Sequence, residues 1–175
     1  PPMKAAMGLN YTEMGLLATG FFVGYLIFAV LTSIAAAKFG ARLVMFISML
    51  VAGLALAATG LAPGFVVALI ARVVTGAATA GGYVQAMSLP SSWFTLRRRG
   101  MAAGFQTGGV GIGFVATGFL IPLVLSSQGE SAWRYAWLYL GVVGVLIAIA
   151  GGLWVRNQPA EKGLAPFGPP EPPIE

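Results

Sequence analysis

The sequence predicts an all-α membrane protein with five transmembrane helices, and three observations carry that expectation. The first is composition: 58% of the 175 residues are hydrophobic and 9% charged, with a mean hydropathy of +0.86, outside the balance of a water-soluble domain. The second is segmentation into long uncharged runs, which at a rise of ~1.5 Å per residue can cross a ~30 Å hydrocarbon core. The third is the placement of charge. Arg97, Arg98 and Arg99 follow Trp93 and Phe94 in a short segment between two apolar runs, as expected of a cytoplasmic loop with an aromatic anchor in the headgroup layer.

A soluble bundle would need a polar face on each helix, and a β-barrel would need short strands of alternating polarity; the runs offer neither. The net charge of +5 would suggest nucleic acid in a soluble chain. Here the cations sit in loops, so the positive-inside bias accounts for them and no nucleic-acid partner is expected.

In chain order, residues 1–14 form a polar lead, in which Asn10 and Glu13 supply a helix cap. The chain opens Pro1-Pro2-Met3, so it is expected to be processed or incompletely known at its start. The first span, 15–37, carries no charge and ends at Lys38, Gly40 and Arg42, a glycine between cations that suits a tight turn. The second, 43–62, stops at Pro63-Gly64, a connection without cations that belongs on the outer side. The third, 65–89, contains Arg72 and is expected to end at Pro90.

The fourth span, 101–127, is dense in glycine. Gly104 with Gly108, and Gly109 with Gly113, stand four apart, a spacing that lets another helix approach closely. Pro122 is placed to kink it. A polar turn at 128–131 leads to an aromatic cluster of Trp133, Tyr135, Trp137 and Tyr139 and the fifth span, 132–155. The tail, 157–175, is rich in Pro and Gly and reads as an extended, largely disordered cytoplasmic segment. Lys38, Arg42, Arg97, Arg98, Arg99, Arg156 and Lys162 then share the cytoplasmic side, with Lys4 and Arg134 opposite. This makes a multi-pass protein of the inner (plasma) membrane with its amino end outside and its carboxy end inside.

The sequence contains no Cys, His or Asp, and its carboxylates Glu13, Glu130, Glu161, Glu171 and Glu175 all lie outside the apolar runs. Metal, haem, nucleophilic and paired-carboxylate chemistry each need residues that are missing here. No enzyme activity, metal or cofactor is expected. The residue that stands out is Arg72, because a cation inside a span normally faces a bundle interior or an aqueous cavity. Helical spacing gathers Arg72, Thr75, Gly76, Thr79 and Tyr83 broadly on one face. That face could bind an anion or couple a proton relay, or Arg72 could be satisfied by carbonyls of a neighbouring helix. Gln106 shares a face with Gly113 and Thr117, and could bond a substrate or simply bridge to another helix. Tyr25 and Thr32 share a face of the first span.

Several segments in order resemble the amino-terminal half of a major facilitator superfamily transporter. Residues 33–42 are similar to a cytoplasmic loop pattern of the family, with Lys38, Gly40 and Arg42 matching, but Ala37 stands where the family has an Asp of its gating charge network. Arg72 and Gly76 resemble an Arg and a Gly four apart in the family's fourth helix. Trp93-Phe94 with Arg97 to Gly104 resembles the approach to its fifth, and Ala132 to Tyr135 with 157–163 flank a segment similar to its last. The resemblance covers almost the whole chain. It implies helices two to six of a six-helix domain, without the first helix or the second half of a transporter that rocks about a central site.

The function implied is transport of a small solute by alternating access, an organic anion being the class that Arg72 suggests. Arg72, Thr75, Thr79, Tyr83 and Gln106 are then substrate-binding candidates, Lys38, Gly40 and Arg42 a gating loop, and Gly76, Gly104, Gly108, Gly109 and Gly113 packing positions. Partners would be the lipid bilayer, the missing transporter half or other membrane subunits, and the solute. The competing reading is a truncated, transporter-like accessory or scaffolding subunit of a larger membrane complex, since a lone half would expose a polar face to lipid.

Overall fold

The computed structural model describes residues 2–127 and 132–169. The expected polar turn at 128–131 and the last residues of the tail, 170–175, lie outside the described residues. Among those described there is no strand, and five helices are long and apolar enough to cross a membrane. A short helix α1 (Pro2–Met7) precedes them, followed by α2 (Tyr11–Phe39), α3 (Ala41–Leu61), α4 (Phe65–Trp93), α5 (Leu96–Ser127) and α6 (Ala132–Trp154).

Helix α2 begins one turn before the expected start because Asn10 and Glu13 form a complete capping box. The Glu13 backbone N–H donates to Asn10 Oδ1 at 2.8 Å, and the Asn10 N–H donates to Glu13 Oε2 at 2.8 Å. The lead before it is less polar in its role than in its composition. Met3 and Leu9 are buried with Leu17, Ala62, Ala68 and Trp133, closing one end of the bundle.

Helices α2, α3, α4 and α6 form the packed body, with α4 against α2 and α3, and α3 against α6. Glycine makes these crossings possible. A methyl group added at Gly53 would lie 2.7 Å from the Val145 backbone nitrogen, and one at Gly141 2.7 Å from that of Ala57, so α3 and α6 touch backbone to backbone. Gly24 and Gly76 do the same between α2 and α4, meeting the backbones of Val73 and Phe21.

Helix α5 differs. It runs through Pro122 without a break in assignment, and none of its described residues is buried. A methyl added at Gly104, Gly108, Gly109 or Gly113 would meet nothing within 4 Å. The glycines that meet an opposing backbone therefore include Gly24, Gly53, Gly60, Gly76 and Gly141. The run in α5 presents its small face to whatever lies outside the chain.

Helix α4 also departs from expectation, continuing through Pro90 to Trp93. Proline has no N–H to give to the carbonyl four residues back, which here is Ala86. That carbonyl instead accepts from Gln106 Nε2 of α5 at 2.5 Å, so the neighbouring helix replaces the missing bond. Replacing Gln106 by Leu should therefore cost about 1–2 kcal/mol in a host with Pro90 and clearly less in one with Pro90→Ala. Denaturation of the two single variants and the double variant measures that coupling.

Residues 157–169 of the tail fold back against the bundle, where composition suggested an extended segment. After α6 the chain makes a 3-10 turn at Pro159–Lys162 and returns to the α4–α5 corner. There the Phe167 N–H donates to the Trp93 carbonyl at 2.8 Å and the Thr95 N–H to the Phe167 carbonyl at 3.3 Å. Phe167 also meets Phe94 edge to face at 6.0 Å.

Candidate functional site

Seven residues into α4, Arg72 lies ~10 Å along the axis from that helix's start. It thus stands midway between the 62–64 end of α4 and the middle of that helix. Its guanidinium stands between two aromatic faces, 5.0 Å from the Phe21 ring of α2 and 5.1 Å from the Trp137 ring of α6. The rings attract the cation through their quadrupoles and hold its long stem in one place. No carbonyl satisfies it: among the described residues Arg72 has no hydrogen-bond or carboxylate partner. A planar fork of donors held by aromatic rings and not neutralised by an acid is suited to an oxyanion.

The other polar residues of this face do not converge with it on one cavity. Thr75 is 2% exposed and its hydroxyl donates to the Ala71 carbonyl at 2.7 Å. The Thr79 hydroxyl donates to the Thr75 carbonyl at 2.7 Å. Both bonds stay within α4. Thr79 and Tyr83 line a cavity of about 280 Å³ between α3, α4 and α6, together with Met49, Gly53 and Gly144. Tyr83 is half-exposed and lies eleven residues beyond Arg72, ~16 Å along the helix. Gln106 belongs to the α4–α5 crossing, and Gly76 packs on the Phe21 backbone, so both serve helix contact here.

A polar residue that sequence reasoning passed over is Gln85, which is 4% exposed and donates through Nε2 to the Thr32 carbonyl of α2 at 3.4 Å. An amide inside an apolar span was the available signal.

The loop residues knot one end of the bundle. Gly40 takes φ 87°, which favours glycine. Its neighbour Arg42 donates from Nε and Nη2 to the Gly152 carbonyl of α6 at 3.2 and 2.6 Å, and from its backbone N–H to Asn157 Oδ1 at 2.7 Å. Lys38 Nζ stays beside the Phe39 ring at 5.4 Å. Trp93 Nε1 donates to the Arg156 carbonyl at 3.0 Å. The opposite end has its own clasp, in which Arg134 Nη1 donates to the carbonyls of Gly60 and Ala62 at 2.9 and 3.1 Å, capping α3.

Comparison with known proteins agrees with this architecture. The model of the Major Facilitator Superfamily matches residues 1–174. Similar proteins include the hexuronate transporter of Bacillus subtilis (strain 168), 27% identical over 161 residues, 92% of this chain and 37% of that protein. The quinolone resistance transporter of Acinetobacter baumannii is 30% identical over 159 residues, 89% of this chain and 37% of that protein. The probable sulfoacetate transporter of Cupriavidus necator is 26% identical over 159 residues, 91% of this chain and 36% of that protein. The chain spans little more than a third of the length of these relatives. With a family model matching nearly its whole length and five long apolar helices in place, this chain belongs to the Major Facilitator Superfamily, a family of multi-pass membrane transporters and not of enzymes.

Proposed function

We propose that this chain is part of a transporter that moves a small organic anion by alternating access, with Arg72 as the charge contact. The observation that carries the reading is the Arg72 guanidinium, gripped by Phe21 and Trp137 and left without an acidic or carbonyl partner among the described residues. Hexuronate and sulfoacetate, named for two relatives, are both organic anions. Thr79 and Tyr83 stand farther along the same face of α4, as later contacts on the path. The unburied face of α5, with Gly104, Gly108, Gly109 and Gly113, is where the rest of the transporter packs. The family match and the transporter names favour this over an accessory subunit.

Uptake into cells expressing the intact protein tests the substrate class. Sugar acids and sulfonates should accumulate and compete with one another, while neutral sugars and amines of similar size should not. Uptake of the neutral compounds in preference to the acids would reject it.

The end bearing Arg42, Trp93, Arg156 and Asn157 is assigned to the cytoplasm by its cations. This sequence has no cysteine, so single cysteines placed in it report topology once any cysteine elsewhere in the intact protein is replaced. A membrane-impermeant maleimide added to intact cells should label Gly64→Cys and leave Ser92→Cys unlabelled until the cells are opened. The reverse pattern would invert the orientation.

A further inference from the structure

The arginine-bearing end of the bundle holds a cavity that Arg72 does not line, where the tail folds over the α4–α5 corner. It has a volume of about 510 Å³ and is lined by Ser91, Ser92, Thr95 and Arg99 from the corner, with Pro166 and Gly168 from the tail. Thr95 stands at the start of α5, its carbonyl accepting from the backbone N–H groups of Arg98 and Arg99 at 2.8 and 3.2 Å. Its side chain is 8% exposed, and Oγ1 is buried with no hydrogen-bond partner among the described residues. A buried hydroxyl left unmatched is costly, and this one belongs to a cavity wall that also carries an arginine.

Electrostatics give the sign of what would match it. Among the described residues the cavity wall contains no carboxylate, and Arg97 and Arg98 adjoin Arg99. The N-terminal end of a long helix adds positive potential of its own. Arg99 uses Nε on the Phe94 carbonyl at 3.2 Å, an attachment that fixes the fork and, among the described residues, leaves its two terminal nitrogens for a ligand. The Arg98 guanidinium lies 4.8 Å from the Phe167 ring and so holds the tail in place. We infer that this pocket binds a phosphate-type oxyanion between Arg99 and the hydroxyls of Thr95 and Ser92, with residues 165–168 as a strap across it; the Ser91 hydroxyl already donates to the Ser88 carbonyl at 2.6 Å. Gly168 packs directly on Thr95 Oγ1, so the strap must shift slightly for an anion oxygen to reach the hydroxyl. The anion therefore couples to the strap's position. Two sources share this chemistry: free phosphate, and the phosphodiester of an anionic lipid headgroup at the nearby membrane surface.

Hydrogen exchange at the Phe167 and Thr95 amides, which tie the strap down, tests the inference on the intact protein. It is measured in detergent with inorganic phosphate against sodium chloride at equal ionic strength, and in nanodiscs of phosphatidylcholine with or without phosphatidylglycerol. Exchange should slow about tenfold when the anion is present, the effect of a charge-assisted contact. Slowing by inorganic phosphate identifies a free anion; slowing only with phosphatidylglycerol identifies the headgroup. The response should be lost in Thr95→Val and Arg99→Gln but kept in Thr95→Ser and in Arg97→Gln, which lies outside the cavity wall. No slowing under either condition would overturn the inference. So would equal losses in Arg97→Gln and Arg99→Gln, which would reduce the effect to general basic attraction.

Discussion

Gly76→Val should prevent the bundle from folding, with a loss of about 3 kcal/mol, at the upper end for overpacking. The reason is local and rigid. A side-chain carbon at position 76 would run into the Phe21 backbone of α2, and a backbone cannot rotate aside as a side chain can. Gly53→Val should act similarly at the α3–α6 crossing, where the opposing atoms are the backbone nitrogen of Val145 and carbonyl of Gly141 at 2.7 and 2.9 Å. Size-exclusion profiles of the solubilised protein, backed by its thermal unfolding, provide the readout. Gly108→Val is the control, since nothing within this chain lies within 4 Å of a methyl there. It should leave folding of the α2–α3–α4–α6 body intact. Should its partner helix pack on α5 as proposed, transport alone would suffer.

Arg72 substitutions carry the second large effect. Arg72→Met keeps much of the stem that Phe21 and Trp137 enclose but removes charge and donors, and uptake of the organic anion should fall by ~100-fold, the equivalent of losing a desolvated charge-assisted contact. Arg72→Lys keeps the charge without the planar fork, so a loss of ~10-fold is expected. The stacking on two rings is worth ~1–2 kcal/mol of its own, so folding must be monitored beside uptake. Radiotracer uptake normalised to folded protein separates the two. Unchanged uptake in Arg72→Met would remove this residue from the transport path.

The number and order of the spans were legible because each depends on a long uncharged run, a property of the sequence alone. The grouping of loop cations was equally legible, and the contacts of Arg42 with Gly152 and of Trp93 with Arg156 bring those loops together at one end. The end of α4 was not. Pro90 reads as a stop unless a donor on another helix takes the Ala86 carbonyl, and nothing in the local sequence reveals that Gln106 does so. Glycine spacing alone does not say where the opposing helix lies. The run from Gly104 to Gly113 has the spacing for close contact, yet contact needs an opposing backbone, which Gly24, Gly53, Gly76 and Gly141 have and the α5 glycines lack within this chain. The capping box at Asn10 and Glu13 sits at the other extreme, as a purely local motif that formed where its spacing placed it.

Of the site proposed here, the sequence suggests the residues but not their surroundings. A cation within a span points to Arg72, and helical periodicity puts Thr79 and Tyr83 on its side of α4. What held the guanidinium could not be read, because Phe21 and Trp137 come from helices far away in the chain.

The most direct measurement of the central claim is the emission of Trp137 during titration with organic anions. Its ring is 5.1 Å from the Arg72 guanidinium, so an anion bound there must change its surroundings. The intact protein, with Trp93, Trp133, Trp154 and any tryptophan outside this chain replaced by Phe, is titrated with a hexuronate and with sulfoacetate. A saturable change in emission, absent with neutral sugars and abolished by Arg72→Met, is the expected result. Saturable uptake of the same anion with Trp137 emission unmoved, or an emission change that survives Arg72→Met, would contradict the assignment of Arg72 as the anion contact.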